Sequence, residues 1–403
     1  MVYVMKNNSI PKKGASMGKF FWGNKDKKLK KSNISHSRHL VSISDLSKEW
    51  WDELYSRCSD IIKNQSDYVD SCRGKVLATM FFEPSTRTSF SFQSAAQRLG
   101  GDSFGFSDPL STSASKGETL ADTVRMVASY AHSIVIRTPQ EGAATVSSMY
   151  SNVPVINAGD GGHFHPTQTL CDLTTIMQKR GEIKNLTVGI CGDLKFGRTT
   201  HSLAQALGMF PNIKFRLLSP SELRMPEYVL ELIRSNGQEY EESELFAENI
   251  PDLDILYMTR IQRERFHSSA EYRRLKGVFV LDKELMKTAK KDMLVMHPLP
   301  RYGEILPEVD DDSRAVYFEQ AEFGMFIRMA LLCDFLHQPK KAPTLVPSGD
   351  TAPIKCENPS CITQTEIYLP QITAKNEPNR CGYCDKDFPR PETREFTPAA
   401  EYM

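Results

Sequence analysis

The sequence lacks the long apolar stretches that membrane and secreted proteins carry. No run approaches the roughly 18 apolar residues of a membrane-spanning helix. The N-terminal region also has no continuous apolar segment of the kind that a secretory signal needs. These two absences predict a cytoplasmic protein with no membrane partner.

A net charge of either sign is also missing, because 50 Lys and Arg residues balance 50 Asp and Glu residues. The charges are unevenly spread, since residues 1–38 hold ten basic residues and one acid, Asp26. We interpret residues 1–36 as a basic, disordered tail, with a targeting peptide as the alternative. The remainder is acidic overall, which disfavours a nucleic-acid-binding protein.

Cysteine pairs at close spacing occur in one region alone, near the C-terminus. Five of the nine cysteines are scattered, mostly in apolar settings: Cys58, Cys72, Cys171, Cys191 and Cys333. A chain without a secretory signal is not expected to build a disulfide scaffold. We therefore predict that these five are small buried side chains.

Short apolar runs alternate with helical periodicity from about residue 72 to residue 338. The segments "KVLATMFF" (75–82) and "SIVIRTP" (133–139) have the composition of strands. The segment "HPTQTLCDLTTIMQKRG" (165–181) has Pro at its first turn and Gly at its end, as helices do. Apolar strands separated by helices predict parallel sheets covered on both faces. There are more strands than one sheet needs, so we predict two consecutive doubly wound α/β domains.

The segment "FFEPSTRTSF" (81–90) places four polar residues directly after a predicted core strand. A helix that begins there directs its free N–H groups and the positive end of its dipole at the ligand crevice. Ser85, Thr86 and Thr88 add hydroxyl groups, and Arg87 adds a planar cation that suits phosphate. The turn is therefore either a phosphate site or an ordinary N-cap serine beside a surface arginine.

Further polar residues stand where predicted strands give way to helices. They are Lys116, Arg137, His165, Gln168, Arg198 and Arg260. A single histidine in such a place is more often structural, and a single arginine is more often a solvated charge. Taken together with the turn at residues 85–88, they predict a site for anionic ligands.

Six segments together resemble one family: "FFEPSTRTSFSF", "KGETLADT", "HPTQTLCDL", "GDLKFGRTTHSL", "YMTRIQRER" and "HPLPR". They resemble the catalytic chain of aspartate carbamoyltransferase, and the resemblance extends from about residue 39 to residue 337. It implies a carbamoyl-phosphate-binding domain over residues 37–165, completed by residues 322–338. It also implies an aspartate-binding domain over residues 166–321.

The resemblance implies transfer of a carbamoyl group from carbamoyl phosphate to L-aspartate, an early step of pyrimidine biosynthesis that needs no cofactor for its chemistry. Catalytic roles are implied for Arg87, Thr88, Arg137 and His165. Substrate contacts are implied for Ser85, Thr86, Ser113, Lys116, Gln168, Arg198, Arg260, Gln262, Leu299 and Pro300. Ser113 and Lys116 match residues that reach into a neighbouring subunit's site, which implies a homotrimer or a larger assembly with shared sites.

Two alternatives remain open at this point. Ornithine carbamoyltransferases share the phosphate turn and "HPTQ", but they carry "HCLP" where this chain has "HPLP" (297–300). Arg260 and Gln262 suit a second carboxylate, and Arg260 would repel an ornithine ammonium group. The other alternative is a non-catalytic assembly or regulatory homologue, which the intact set of charged residues disfavours.

The last four cysteines form two close pairs, Cys356-x4-Cys361 and Cys381-x2-Cys384, with 19 residues between the pairs. Paired thiolates at this spacing suit tetrahedral zinc, the alternative being four unrelated thiols. "CGYCDKDF" also resembles the zinc domain of the aspartate carbamoyltransferase regulatory chain. We predict a structural zinc ion in a small C-terminal module over residues 353–403, after a Pro-rich linker at residues 339–352.

Overall fold

The fold comes from a computed structural model that describes residues 37–108, 116–261, 268, 274–275, 277–345, 350–352, 355–374 and 377–388. The predicted basic tail, Ser113, Gln262 and part of the predicted linker lie outside these residues. No described helix is both long enough and apolar enough to span a membrane.

The first sheet has four parallel strands in the order β2–β1–β3–β4. They are β1 (Val76–Phe81), β2 (Asp102–Phe106), β3 (Ser133–Thr138) and β4 (Val155–Asp160). The inner strands β1 and β3, and β4 beside them, are buried almost throughout, as their apolar sequences predict. The edge strand β2 is largely exposed, and Asp102, Ser103 and Gly105 interrupt its apolar residues, so its sequence lacks that signal.

Four helices belong to this domain: α1 (Lys48–Lys63), α2 (Thr86–Arg98), α3 (Leu120–Tyr130) and α4 (Ala143–Tyr150). The buried face of α2 contains Phe92, Ala95 and Ala96, and the buried face of α3 contains Leu120 and Val124. Both faces recur every three or four residues, which confirms the helical periodicity of the sequence.

The second sheet has five parallel strands in the order β7–β6–β5–β8–β9. They are β5 (Leu186–Cys191), β6 (Ile213–Leu218), β7 (Glu239–Ser243), β8 (Ile255–Met258) and β9 (Leu294–Met296). The two sheets confirm the predicted pair of consecutive parallel α/β domains. The edge strand β7 of the second sheet is mostly exposed and polar, in contrast to the buried β5 and β8.

The remaining helices are α5 (Pro166–Arg180), α6 (Arg198–Leu207), α7 (Glu227–Ser235), α8 (Phe246–Asn249), α9 (Lys283–Thr288) and α10 (Tyr317–Phe335). Helix α5 begins at Pro166 and ends before Gly181 at a φ of 79°, as the sequence predicts. Helix α10 packs against α1, α2 and α5. The ring of its Phe335 stacks on Trp50 of α1 with centroids 6.1 Å apart, so α10 returns the chain from the second domain to the first.

The C-terminal segment contains the two-stranded antiparallel sheet of β10 (Thr373–Ala374) and β11 (Glu377–Cys381). The sequence predicts a separate module, but the structure joins this segment to the first domain. Its buried residues Ile362, Leu369 and Tyr383 belong to the same apolar cluster as Val124 of α3 and Val146 of α4. A segment this short buries too little apolar surface to be stable alone, so it shares a core.

Backbone hydrogen bonds reinforce this junction. Glu141 N–H donates to the carbonyl of Ser360 at 2.8 Å, and Ile362 N–H donates to the carbonyl of Glu141 at 2.9 Å. Gly142 follows with a φ of +86°, and a Cβ there would lie 2.5 Å from the carbonyl oxygen of Tyr383. The absence of a side chain at residue 142 therefore allows residues 380–385, called here the cysteine-bearing turn, to approach α4.

We predict that Gly142→Ala destabilises the protein by about 1–3 kcal/mol more than Gly74→Ala, because the Tyr383 backbone must move to admit the methyl group. Gly74 is the matched control, since its φ is +72° but a Cβ there meets nothing within 4 Å. Both variants carry the strain of a left-handed alanine. Chemical denaturation at fixed zinc concentration measures the difference, and equal losses would contradict the close approach.

Candidate active site

A cavity of about 640 Å³ opens between the two domains, beyond the carboxyl ends of both sets of parallel strands. Its described walls include eleven of the residues that the sequence predicts as a site. They are Ser85, Thr86, Arg87, Thr88, Arg137, His165, Gln168, Arg198, Arg260, Leu299 and Pro300. Residues that are up to 215 positions apart in sequence thus face one space.

The turn before α2 offers donors to this cavity. Ser85 precedes the helix in an extended conformation, with φ −157°, and its side chain makes no capping hydrogen bond. The first N–H groups of α2 have no acceptor within the helix, so they and the helix dipole favour an anion. Burial lowers the pKa of Arg87, and the charge of Arg137 lowers it further. An anion between these two guanidinium groups would offset their repulsion.

Arg137, at the end of β3, is buried and held by two contacts. Its Nη2 donates to Glu83 Oε1 at 2.6 Å, and its Nη1 donates to the carbonyl of Ala158 at 3.2 Å. Gly159, with φ +118°, makes room for it, because a Cβ there would lie 2.9 Å from Arg137 Nη1. The same Cβ would lie 3.3 Å from Arg198 Cζ. Glycine therefore lets guanidinium groups from both domains approach one point.

His165 is the residue before α5, and its ring is buried in this cationic environment. Burial lowers the pKa of His165 well below its ordinary value, and the charges of Arg198, Arg137 and Arg328 lower it further. The imidazole is therefore neutral. A neutral ring carries one N–H, which can donate to an oxygen that becomes negative.

Gln168, in the first turn of α5, is oriented by a buried carboxyl group. Its Nε2 donates to Asp172 Oδ1 at 2.8 Å. Asp172 also accepts from Gln320 Nε2 at 2.7 Å and from the Tyr257 hydroxyl at 3.0 Å. Burial raises the pKa of Asp172 to about 7 against the effect of these three hydrogen bonds. Gln168 thus lines the cavity with its amide nitrogen held by Asp172.

The second domain supplies the opposite wall. Arg198 begins α6 and donates to the carbonyl of Gly161 in the first domain. The turn after β9 is fixed by His297, whose Nδ1 accepts from the Leu299 N–H at 2.7 Å. Leu299 has a φ of +55° and lines the cavity together with Pro300. The turn thus adds backbone carbonyl groups beside the arginines.

Positive charge dominates the cavity. Five guanidinium groups line it: Arg87, Arg137, Arg198, Arg260 and Arg328. Glu83 is the one carboxylate among the described lining residues, and it is already paired with Arg137. Five guanidinium groups around a space of this size, with Arg137 and Arg328 buried, suit a ligand set with several negative charges.

The matches to known families agree with this geometry. The aspartate/ornithine carbamoyltransferase carbamoyl-P binding domain matches residues 38–178, and the corresponding Asp/Orn binding domain matches residues 184–335. The chain belongs to the aspartate/ornithine carbamoyltransferase family.

Individual relatives within the family are close. The aspartate carbamoyltransferase catalytic subunit of Clostridium perfringens is 56% identical over 301 residues, which are 74% of this chain and 98% of that protein. The catalytic subunit of Finegoldia magna is 51% identical over 300 residues, with the same coverage. The similarity thus includes nearly the whole length of both relatives.

Solved structures of the family are similar too. The catalytic subunit of M. jannaschii aspartate transcarbamoylase is 43% identical with a TM-score of 0.70, over 74% of this chain and 98% of that one. Aspartate transcarbamoylase from Trypanosoma cruzi, in complex with carbamoyl phosphate and aspartate, is 36% identical with a TM-score of 0.70. That match includes 74% of this chain and 97% of the other.

Three of the predicted site residues are not found in the described cavity wall. Lys116 is described, is exposed and is not part of the cavity wall. Ser113 and Gln262 lie outside the described residues.

Three cavity or support residues were not predicted. Glu83 stands within the phosphate-turn segment, and Asp172 stands one helical turn after Gln168. Arg328 is a cation in α10, buried 5.1 Å from the centre of the Phe92 ring. A buried arginine in a helix that is apolar on all sides was the available signal for Arg328.

The four C-terminal cysteines lie outside both matched family domains and form one buried cluster. Their sulfur atoms all lie within 4.8 Å of one another, with Cys356–Cys384 at 3.7 Å and Cys361–Cys381 at 3.9 Å. Four sulfurs bound to one zinc ion at about 2.3 Å would be separated by roughly 3.8 Å. The donor set and its spacing therefore fit zinc.

We predict that His165→Gln slows carbamoyl transfer but leaves the acid limb of the pH–rate profile at the same pH. Glutamine still donates an N–H but cannot be protonated, and the depressed pKa keeps His165 neutral throughout the working range. Initial rates from pH 5.5 to 9 test this. An acid limb in the native enzyme that disappears in the variant would show that His165 titrates.

The pH dependence of the free energy of unfolding provides a control, because its sign follows from the pKa of His165. Below about pH 6.5 the unfolded chain protonates His165 and the folded chain does not, so the free energy of unfolding falls as the pH falls. His165→Gln should lose less stability than the native protein between pH 6.5 and pH 5. Equal losses would contradict the depressed pKa.

Proposed function

We propose that this chain is an aspartate carbamoyltransferase, which transfers the carbamoyl group of carbamoyl phosphate to the amino group of L-aspartate. The observation that carries the proposal is the cavity between the two family domains, where five guanidinium groups and one carboxylate suit two anionic substrates. Relatives with 51–56% identity over nearly their whole length carry the same activity in their names. The product, N-carbamoyl-L-aspartate, belongs to an early step of pyrimidine biosynthesis.

The phosphate group of carbamoyl phosphate is assigned to the turn before α2. Ser85, Thr86 and Thr88 offer hydroxyl and backbone donors, and Arg87 offers a charged pair of N–H groups. Ser85 supports this, because its side chain makes no capping hydrogen bond to α2. The phosphate would also reduce the repulsion between Arg87 and Arg137.

The carbamoyl group is assigned to the ends of β3 and β4. Arg137, His165 and Thr88 would donate to the carbonyl oxygen, on which negative charge grows during the reaction. Preorganised donors aimed at such an oxygen are usually the largest catalytic contribution. The amide oxygen of Gln168 would accept from the carbamoyl amino group.

Aspartate is assigned to the second domain. Arg198, Arg260 and Gln262 would bind its two carboxylates, and the backbone carbonyl of Leu299, beside Pro300, would accept from its amine. The amine attacks the carbamoyl carbon, a C–N bond forms, and the C–O bond to phosphate breaks with its electrons leaving on phosphate. We expect the departing phosphate to take the proton that the amine loses. The scheme needs no cofactor.

The charges of the cavity favour aspartate over ornithine. Ornithine would react through its side-chain amine and keep a charged α-ammonium group, which would need an unpaired carboxylate in a cavity whose described carboxylate already binds Arg137. A non-catalytic role is disfavoured because the residues assigned to both substrates are present together. The purified chain should therefore form N-carbamoylaspartate and not citrulline.

We propose that sites are shared in a homotrimer or a larger assembly. Lys116 supports this, because it is exposed and is not among the described residues that line the cavity of its own chain. Lys116, with Ser113, would complete the site of a neighbouring chain. Mixing inactive Lys116→Ala chains with inactive Arg198→Ala chains should restore some activity, and none would return if each chain held a complete site.

We propose that Cys356, Cys361, Cys381 and Cys384 hold a structural zinc ion. The spacing of the four sulfurs supports it, and the Thr363 hydroxyl donates to Cys361 Sγ at 3.2 Å. When bound, the ion would hold the C-terminal segment folded and would take no part in the transfer.

We predict that Arg260→Ala raises the KM for aspartate roughly 10- to 150-fold, the effect of losing hydrogen bonds to a charged group. Calorimetry should show that carbamoyl phosphate binds the variant almost as tightly as it binds the native protein. Arg224→Ala is the control, because Arg224 is an exposed arginine of the same domain that pairs with Glu244. Equal loss of both ligands would make Arg260 a structural residue.

We predict about one zinc ion per chain in the purified protein and its loss in Cys381→Ser. Because the C-terminal segment shares the core of the first domain, metal loss should lower the Tm of the whole chain. Cys58→Ala is the control, since this buried thiol lies outside the cluster and should leave the zinc content unchanged. Metal analysis after gel filtration and calorimetry are the measurements. A native protein without zinc would refute the site.

A further inference from the structure

The loop Asp160–His165, called here the His165 loop, connects β4 to α5 and presents His165 to the cavity. Two contacts hold it from different sides. Arg198 of the second domain donates to the Gly161 carbonyl, and the Gly162 N–H donates to Glu141 Oε1 at 3.2 Å. A third contact comes from the C-terminal segment.

His163 makes this third contact, and it is buried between two carboxylates. Its Nδ1 lies 3.0 Å from Asp160 Oδ2 and its Nε2 lies 2.9 Å from Asp385 Oδ2. Burial lowers the pKa of His163, but the two carboxylates outweigh this and raise it to about 10. The imidazolium then donates one N–H to each carboxylate, so one side chain joins the loop to the C-terminal segment.

The carboxylate of Asp160 connects His163 to other parts of the backbone. Its Oδ2 also accepts from the Gly142 N–H at 3.0 Å, and its Oδ1 accepts from the Phe164 N–H at 3.0 Å. Phe164 directly precedes His165. A displacement of His163 is therefore passed to the backbone that orients the His165 ring.

Asp385 belongs to the cysteine-bearing turn, because it directly follows Cys384. The same turn also reaches the second domain. The Arg380 Nε donates to the carbonyl of Asp385 at 3.0 Å, and its guanidinium group lies 5.8 Å from the centre of the Tyr228 ring. The Tyr228 hydroxyl lies 2.8 Å from Nδ1 of His201, on the helix α6 that begins with Arg198.

We propose that His163 is a positioning residue for carbamoyl transfer: its pair with Asp385 ties the cysteine-bearing turn to the His165 loop and fixes the position of the His165 ring. The proposal rests on the proposed function, and it gives the C-terminal segment a part in the reaction in its own chain. Catalysis depends on such placement, since an error of about 1 Å can cost roughly 100-fold in rate.

The first test removes the charges of His163 and Asp385 with side chains of similar size. Asp385→Asn and His163→Gln should each lower kcat roughly 10- to 100-fold. The Kd of carbamoyl phosphate and the zinc content should stay near their native values. The double variant should be no slower than the slower single variant, because both changes break one contact. Asp385→Glu, which keeps the carboxylate, should recover part of kcat.

Asp387→Asn is the matched control. Asp387 is on the same segment and loses the same charge, but its side chain is 82% exposed and lies 3.6 Å from Arg380. Its kcat should equal that of the native protein. If Asp385→Asn also keeps native kcat, the pair with His163 is a docking contact alone and the proposal is wrong. Additive losses in the double variant would overturn it as well.

The second test needs no activity. Amide hydrogen exchange of the full chain with its zinc bound should be faster over residues 160–165 in Asp385→Asn than in the native protein or in Asp387→Asn. Unchanged exchange would overturn the proposal. If the native chain forms no carbamoylaspartate, the proposed function fails, and exchange still decides whether Asp385 holds the loop.

Discussion

The repulsion among five guanidinium groups that line one cavity is the constraint on which the rest of the site depends. Like charges at close range in a space of low dielectric constant are costly unless each is held and partly compensated. The chain meets this with backbone carbonyls more than with acids, since Ala158 holds Arg137 and Gly161 holds Arg198. Carboxylates in those positions would cancel the field that anionic substrates need. Among the described lining residues Glu83 is the one carboxylate, and five arginines leave this part of the cavity positive.

Two parallel sheets are a fold that brings such groups together with little strain. In a parallel sheet all strands end at one edge, so the turns after β1, β3 and β4 open on the same side. A second sheet whose strands end toward the first adds Arg198, Arg260 and the turn at Leu299 to the facing wall. Arg87, Arg137, Arg198 and Arg260 stand at or near the ends of strands or the starts of helices, whereas Arg328 comes from within α10. Domain placement, and not any single loop, therefore determines the distance between the two substrates.

The buried strands and the helices α2, α3, α5 and α10 were predictable, because burial on both faces or on one face leaves a periodic trace in the sequence. The edge strands β2 and β7 were not, since their exposed faces carry residues such as Asp102 and Glu239. The site followed from residues at strand ends and from the family resemblance. The docking of the C-terminal segment on α3 and α4 could not be predicted, because it depends on Gly142 and Glu141, more than 200 residues before the contacts they make.

The C-terminal segment shares its apolar core with the first domain, so the stability of one depends on the stability of the other. If zinc binds the folded C-terminal segment and not the unfolded one, its binding free energy stabilises every contact that exists only in the folded arrangement. Those contacts include the backbone bonds of Glu141, the hydrogen bond from Asn358 to Glu141 and the apolar cluster with Val124 and Val146. Glu141, which takes part in these contacts, also accepts from the Gly162 N–H of the loop at residues 160–165. Metal affinity and the order of that loop would then be linked quantities, and a change in either would appear in the other.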